Sequence, residues 1–149
     1  MKKISGSTFY YKKVFPALWF VFLLFIFIAS LVSGVGEESF LILTMPVVMA
    51  IFGYMVIKFR FWNLADEVYD YDNYLEFHKD GKTQKVYLNE IVNIEYSRLN
   101  APDRILMHTR TQGPIGGELV FILPIRLIPF TTNPLAYQII ERVNEAKNT

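Results

Sequence analysis

The sequence predicts an α+β protein in which an N-terminal two-helix transmembrane hairpin precedes an antiparallel β sheet or barrel capped by one C-terminal amphipathic helix. Three observations predict this fold class: two apolar runs without charge, a series of short alternating segments between turn residues, and one final helical stripe. The charges divide the chain at the same point. Residues 1–63 carry six Lys or Arg and two Asp or Glu, whereas residues 64–149 carry nine and twelve. A basic, apolar part therefore precedes a mildly acidic one.

The two apolar runs are long enough to cross a bilayer. Residues 15–35 are 21 residues without a charged side chain, and residues 40–57 are 18 more. At 1.5 Å per residue these lengths suit a hydrocarbon core of ~30 Å. Only Gly36–Ser39 separates the runs, which predicts an antiparallel hairpin. The first run exceeds the ~7–15 apolar residues of a signal peptide, and this favours an uncleaved hairpin over a cleaved leader.

The flanking charges predict the orientation of the hairpin. The segments outside the two runs, which include the basic segment 1–14, carry only positive charges: Lys2, Lys3, Lys12, Lys13, Lys58 and Arg60. The segment that connects the two runs carries only negative charges, Glu37 and Glu38. Because positive charges are retained on the cytoplasmic side, we expect the N and C termini in the cytoplasm. Aromatic residues near the same ends suit the headgroup layer of the bilayer.

The acidic part, residues 64–149, predicts short antiparallel strands. Alternating patterns and turn residues place strands at 67–71, 74–78, 82–87, 92–96, 105–110 and 119–123. Asp80-Gly81 is a strong hairpin signal, and Gly113–Gly117 predicts another turn. The strand at 92–96 is apolar at Val92, Ile94 and Tyr96.

One helix is predicted at the end of the chain, over residues 134–147. Asn133 is suited to the N-cap and Pro134 to the first helical position. Apolar residues then recur on one helical face, namely Leu135, Ile139, Ile140 and Val143. This stripe has to be buried against the sheet.

Residues 64–147 resemble a known family at this point. The segment 85–94 runs from a strand into a Leu-x-x-Ile-x-x-Ile step, and the segments 102–106 and 121–124 are similar to further pieces of the same family. The resemblance is to the bacterial version of pleckstrin-homology-like domains. It implies a binding or assembly module that follows one or two membrane helices in small proteins of the bacterial inner membrane. It supplies no catalytic residues.

The sequence offers little reactive chemistry. There is no cysteine, and neither His78 nor His108 has a second histidine at ligand spacing. A group of acidic residues is interpreted as a solvated strand edge: Asp66, Glu67, Asp70, Asp72 and Glu76. We therefore expect no enzyme, no metal and no cofactor.

The basic residues of the acidic part give a weak indication of a ligand. Residues 64–149 carry a net negative charge, which argues against nucleic acid as a partner. Recognition of a lipid headgroup stays open, with these candidates: Lys79, Lys82, Lys85, Arg98, Arg104 and Arg110.

The candidate binding surface is the proline-interrupted segment 123–130. The hypothesis is an exposed patch for a partner or the membrane interface, formed by Ile125, Arg126, Leu127, Ile128 and Phe130. The alternative is that the segment covers one end of the sheet as core.

The expected function is a non-enzymatic, inner-membrane-anchored binding or assembly module, with the bilayer and a protein partner or a second copy as its contacts. The alternative is an accessory subunit of a larger transport or envelope enzyme complex.

Overall fold

The computed structural model describes residues 1–34, 39–98, 102–126 and 131–149. Within these ranges the chain forms two compact units: Phe9–Asn63, and a discontinuous unit of Met1–Thr8 with Leu64–Thr149. We call them the hairpin unit and the sheet unit. The predicted α+β class is confirmed, because apolar helices precede antiparallel sheets and a C-terminal helix.

The hairpin unit consists of helices. A π-helical turn at Tyr10–Val14 leads into α1, Phe15–Val32, and α2 spans Phe40–Phe61. Helix α2 thus continues four residues beyond the predicted end at residue 57. Among the described residues these are two helices long and apolar enough to cross a membrane. Only 11% and 17% of their apolar windows are buried, unlike the core helix of a soluble protein. Glu37 and Glu38, used to predict orientation, lie outside the described residues.

The sheet unit is built from antiparallel ladders. In the described residues one sheet has the order β1-β2-β3-β4 and the other β5-β6-β7. The strands are β1 Lys2–Lys3, β2 Glu67–Asp70, β3 Tyr74–Lys79, β4 Lys82–Tyr87, β5 Ile91–Ser97, β6 Arg104–Thr109 and β7 Glu118–Ile122. Between β3 and β4, Asp80 and Gly81 both have positive φ, at 49° and 77°, as the predicted hairpin turn requires.

The sheets do not close into a barrel in the described part of the chain, so the barrel alternative is wrong. The 3-10 turn Leu88–Glu90 separates β4 from β5 and redirects the chain between the sheets. On β5 the register shifts between Ile91 and Asn93. This bulge leaves Val92 56% exposed, whereas Ile94 packs against the core. The sequence pattern missed the bulge because it assumed strict alternation.

The C-terminal helix α3, Pro134–Asn148, is present as predicted, but its buried face differs: Ile140 is only half-buried, and Ala136 is buried in the core. The Asn133 side chain accepts a hydrogen bond from the Leu135 amide at 3.0 Å, which caps the helix. Ile139 and Val143 are buried in the core with the strand residues. In that core the rings of Phe77 and Phe121 meet edge to face, with centroids 5.9 Å apart.

The N-terminal residues are the main departure from the predicted organisation. The sequence treated 1–14 as a basic flanking segment, but Met1–Thr8 pack within the sheet unit. Ile4 is fully buried, and its amide donates to the Val68 carbonyl at 2.9 Å. The Gly6 amide donates to the Ile122 carbonyl at 2.8 Å, so the segment bridges from β2 to β7. The hairpin unit is therefore inserted between the first and second strands of the sheet unit.

Gly6→Val should destabilise the sheet unit, although residue 6 is far in sequence from β2 to β7. A Cβ at Gly6 would lie 2.7 Å from the Leu123 carbonyl oxygen, so the backbone has to shift. We expect a loss of about 1–3 kcal/mol, typical of overpacking. Calorimetric unfolding of the full chain in detergent measures it. The matched control is Ser7→Val at the neighbouring exposed position. Equal unfolding temperatures for the two variants would contradict the docked N-terminal segment.

Candidate functional site

The predicted binding surface begins where β7 ends. Leu123 is buried, and Ile125 is 77% exposed. The Arg126 guanidinium is exposed as well and donates to the Thr132 carbonyl at 2.8 Å, which links the two ends of the intervening segment. The other members of the predicted patch, Leu127, Ile128 and Phe130, lie outside the described residues. The surface thus starts with an exposed aliphatic side chain beside an anchored cation.

A polar groove of about 330 Å³ lies beside α3, lined by Lys2, Asp70, Leu135, Gln138, Ile139, Glu141, Arg142 and Glu145. Its central feature is a bidentate ion pair. Arg142 Nη1 and Nη2 donate to the two oxygens of Asp70 at 2.5 and 3.0 Å, and Arg142 also donates to the Asp72 carbonyl. Sequence reasoning missed this pair, because 72 residues separate its members.

The ion pair changes the proton affinity of its carboxylate. Burial by itself would raise the pKa of Asp70. The hydrogen bonds from Arg142 and from the Asp72 amide outweigh that effect, so the pKa of Asp70 lies below its usual value. The same contact raises the pKa of Arg142. The ion pair between Asp70 at the end of β2 and Arg142 of α3 therefore joins these two elements.

The predicted acidic group does not converge on one point. Glu67 binds Lys3 at 2.5 Å, and the Asp66 carboxylate accepts from the Asp80 amide at 2.9 Å. Glu76 accepts from His78 at 2.8 Å. No group of three or more His, Asp or Glu side chains capable of holding a metal occurs within the described ranges. These carboxylates join neighbouring elements of the sheet unit. Because β2 and β3 are inner strands of their sheet in the described residues, the interpretation as a solvated strand edge is wrong.

Gln84 is a buried polar residue that sequence reasoning overlooked. It is only 5% exposed, and its Oε1 accepts from the amides of Ile115 and Gly116 at 2.9 and 3.2 Å. Its Nε2 donates to the Gly116 carbonyl at 3.0 Å. Gln84 thus ties β4 to the predicted Gly113–Gly117 turn across a cleft of about 170 Å³. A lone glutamine in an alternating strand gives no signal of such a role.

The basic residues considered for headgroup recognition are divided between the two sheets: Lys79, Lys82 and Lys85 lie on β3 and β4, and Arg104 lies on β6. Lys79 and Lys82 are paired across the β3–β4 hairpin. The Lys85 ammonium lies over the Tyr74 ring, 5.3 Å from its centroid, and 3.9 Å from Glu76. Lys85 is therefore occupied by contacts within its own sheet.

In the hairpin unit, cations and aromatic rings lie near the N-terminal end of α1 and the C-terminal end of α2. The Lys58 ammonium lies 6.0 Å from the Tyr54 centroid and 5.9 Å from that of Trp62. Tyr11 stacks on Phe61 at 5.5 Å. Such amphipathic rings beside cations suit a membrane–water interface.

Comparison with known protein families, curated proteins and solved structures finds no match to this chain. The geometry described above is therefore the basis for any proposal about function.

Asp70→Asn should destabilise the sheet unit at neutral pH and progressively less in acid. Because the pKa of Asp70 is lower in the folded chain than in the unfolded chain, ionised Asp70 stabilises the fold at any pH above the unfolded pKa of about 3.9. This stabilisation is lost as the pH falls through the pKa of the folded chain. We expect a loss of about 1–3 kcal/mol near pH 7. Calorimetric unfolding at several pH values measures it. Glu141→Gln, in the same groove, is the control and should stay within about 0.5 kcal/mol. A wild-type advantage that does not shrink below about pH 4 would contradict this assignment.

Proposed function

We propose that this chain is a non-enzymatic, inner-membrane-anchored module that presents a pleckstrin-like sheet domain to the cytoplasm, where it binds a protein partner or a second copy. The observation that carries the proposal is the discontinuous sheet unit. Its first strand precedes the hairpin and its remaining strands follow it. A domain connected in this way is attached to its anchor at two points, which restricts its motion relative to the bilayer.

The pairing of β1 with β2 supports the proposed topology. Lys3 is the register partner of Tyr69, so residues 1–8 and 64–149 belong on the same side of a membrane. An anchor between them has to cross the bilayer an even number of times, as a hairpin of α1 and α2 does. Four cations lie just before α1 or in the last turn of α2, toward residues 1–8 and 64–149 in sequence: Lys12, Lys13, Lys58 and Arg60. The positive-inside rule assigns that side to the cytoplasm.

The strand arrangement supports the pleckstrin-like part of the proposal. In the described residues a four-stranded and a three-stranded antiparallel sheet precede one C-terminal helix that packs on their shared core. The Leu-x-x-Ile-x-x-Ile step of the resemblance corresponds to the transition between the sheets: Leu88 and Ile91 are buried and Ile94 packs against the core. The burial of these residues supports the proposed pleckstrin-like class.

Binding is the activity that the accessible surface favours. The polar side chains with defined contacts, such as Asp70, Gln84 and Glu67, join parts of the sheet unit to each other. Ile125, in contrast, directs a large apolar surface outward next to Arg126. Arginine is enriched at protein interfaces, and the buried core of an interface is more apolar than the rest of the protein surface.

The second candidate, an accessory subunit of a larger membrane complex, is favoured by the outer surfaces of the helices. Phe25 on α1 is 71% exposed and Phe52 on α2 is 69% exposed. Aromatic side chains of this kind can pack against another protein's membrane helices as well as against lipid.

Photo-crosslinking in intact cells should distinguish these functions. A photoreactive residue at Ile125 should capture one protein partner or a second copy, whereas the same residue at Tyr137, 58% exposed on α3, should not. A photoreactive residue at Phe25 should capture lipid. Capture of one large membrane protein from Phe25, with nothing from Ile125, would contradict the proposal and support the accessory subunit.

A further inference from the structure

We infer that Tyr96 and Asp103 are positioning residues for the candidate binding surface, because their hydrogen bonds join the two ends of the segment that carries Ile125 and Arg126. The inference rests on the proposed binding function and names the side chains that hold its surface in one conformation. It concerns Ile125 and Arg126, which are the two members of that surface among the described residues.

The segment leaves the core of the sheet unit at one buried residue and returns to it at another. Leu123 and Asn133 are both buried, and nine residues lie between them in the sequence. Just after Leu123 the chain is exposed at Pro124, Ile125 and Arg126. Closing a loop of this length costs conformational entropy, so specific contacts are needed to hold its ends together.

A chain of hydrogen bonds through Asp103 and Tyr96 provides such contacts. The Leu123 amide donates to the Asp103 carbonyl at 2.9 Å. The Tyr96 hydroxyl donates to the Asp103 carboxylate at 2.9 Å and accepts from the backbone amide of Asn133 at 3.4 Å. One pair of residues thus contacts both the last buried residue before the segment and the first buried residue after it.

Tyr96 is suited to this role by its place on β5. Its ring packs against the core of the sheet unit, which fixes the position of the hydroxyl. Burial and the hydrogen bond to Asp103 raise the pKa of Tyr96, so the hydroxyl keeps its proton and remains a donor at neutral pH. Asn133 is fixed as well, because its side chain caps α3.

The Arg126 guanidinium holds the segment from within, since it donates to the Thr132 carbonyl at 2.8 Å. The surface is therefore held at Leu123, at Arg126 and at Asn133 before any partner binds. A surface that is already in one conformation avoids the entropic cost of being ordered at the interface. Removal of the Tyr96 hydroxyl should therefore weaken binding at Ile125, although Tyr96 belongs to β5 and not to the segment.

Tyr69 provides a matched control. Its hydroxyl donates to the Glu67 carboxylate at 2.9 Å, which is the same kind of hydrogen bond, at the same length, as that from Tyr96 to Asp103. Tyr69 and Glu67 both belong to β2. Tyr69→Phe therefore removes an equivalent hydrogen bond without changing a contact at either end of the segment.

Distance measurements by electron paramagnetic resonance test the positioning without a partner. The chain has no cysteine, so Ile125→Cys with Asn144→Cys places one nitroxide label on the surface and one at an exposed position of α3. For the full-length chain in detergent we expect a narrow distance distribution. Tyr96→Phe should raise the population outside the main peak about tenfold, the ratio for one hydrogen bond of about 1.4 kcal/mol. Tyr69→Phe should leave the distribution unchanged.

Two Asp103 variants and a reference label pair separate positioning from loss of the fold. Asp103→Asn keeps an acceptor oxygen for the Tyr96 hydroxyl and should retain the narrow distribution, whereas Asp103→Ala should broaden it. The reference pair, Lys82→Cys with Asn144→Cys, has no label on the segment. Its distance distribution should stay unchanged in every variant.

Photo-crosslinking connects the positioning to binding. With a photoreactive residue at position 125 in intact cells, Tyr96→Phe should reduce severalfold the capture of the partner or second copy that the otherwise unchanged chain captures. Tyr69→Phe should not reduce it.

Four results would overturn the inference. An unchanged distance distribution in Tyr96→Phe would mean that other contacts hold the segment, and a broadened reference pair would mean that Tyr96 supports the whole sheet unit. Unchanged capture despite a broadened distribution at position 125 would mean that binding does not depend on one conformation. Absence of capture from the otherwise unchanged chain would overturn the proposed function and the inference together. This last result is distinguishable from the others, because the distance measurements need no partner.

Discussion

The docking of residues 1–8 onto β2 and β7 is the contact on which the organisation of this protein depends. Ile4 is wholly buried in the sheet core, and burial of such a side chain contributes about 1.5–3 kcal/mol. The backbone bonds of Ile4 and Gly6, and the Lys3–Glu67 ion pair, fix the segment in one register. Because the hairpin unit lies between this segment and β2, the same contact joins the two ends of the hairpin. The sheet unit therefore cannot be completed by residues 64–149 alone.

The two ends of the chain meet around one carboxylate. Asp70 ends β2, Lys2 of β1 is its register partner, and Arg142 of α3 binds both of its oxygens. The N-terminal strand and the C-terminal helix thus border the same polar groove. Asp70 therefore joins the N-terminal strand pair to the C-terminal helix within the sheet unit.

Much of the fold was accessible from sequence because its signals are local. The length of the uncharged runs, the Asp80-Gly81 turn and the Asn133-Pro134 start of α3 each depend on neighbouring residues only, and each is present as predicted. The burial of Ile4 could not be predicted from the sequence, because a single apolar residue among polar ones forms no periodic pattern. Asp70–Arg142 and the contacts of Gln84 join residues 72 and about 31 positions apart, and such tertiary pairs leave no pattern in one sequence. In the candidate surface Ile125 is exposed, and the role of the surface, with the apolar residues at 127, 128 and 130, stays a prediction.

An engineered disulfide between β1 and β2 tests the central claim most directly. The chain has no cysteine, so Lys3→Cys with Tyr69→Cys introduces one defined pair at facing register positions. The account predicts that mild oxidation of the membrane-inserted protein joins the N-terminal peptide to the β2 peptide after proteolysis between them. The control pair, Lys3→Cys with Lys85→Cys, lies three strand spacings apart, about 14 Å, beyond the reach of a disulfide. Equal crosslinking of the two pairs, or none in the first, would contradict the account.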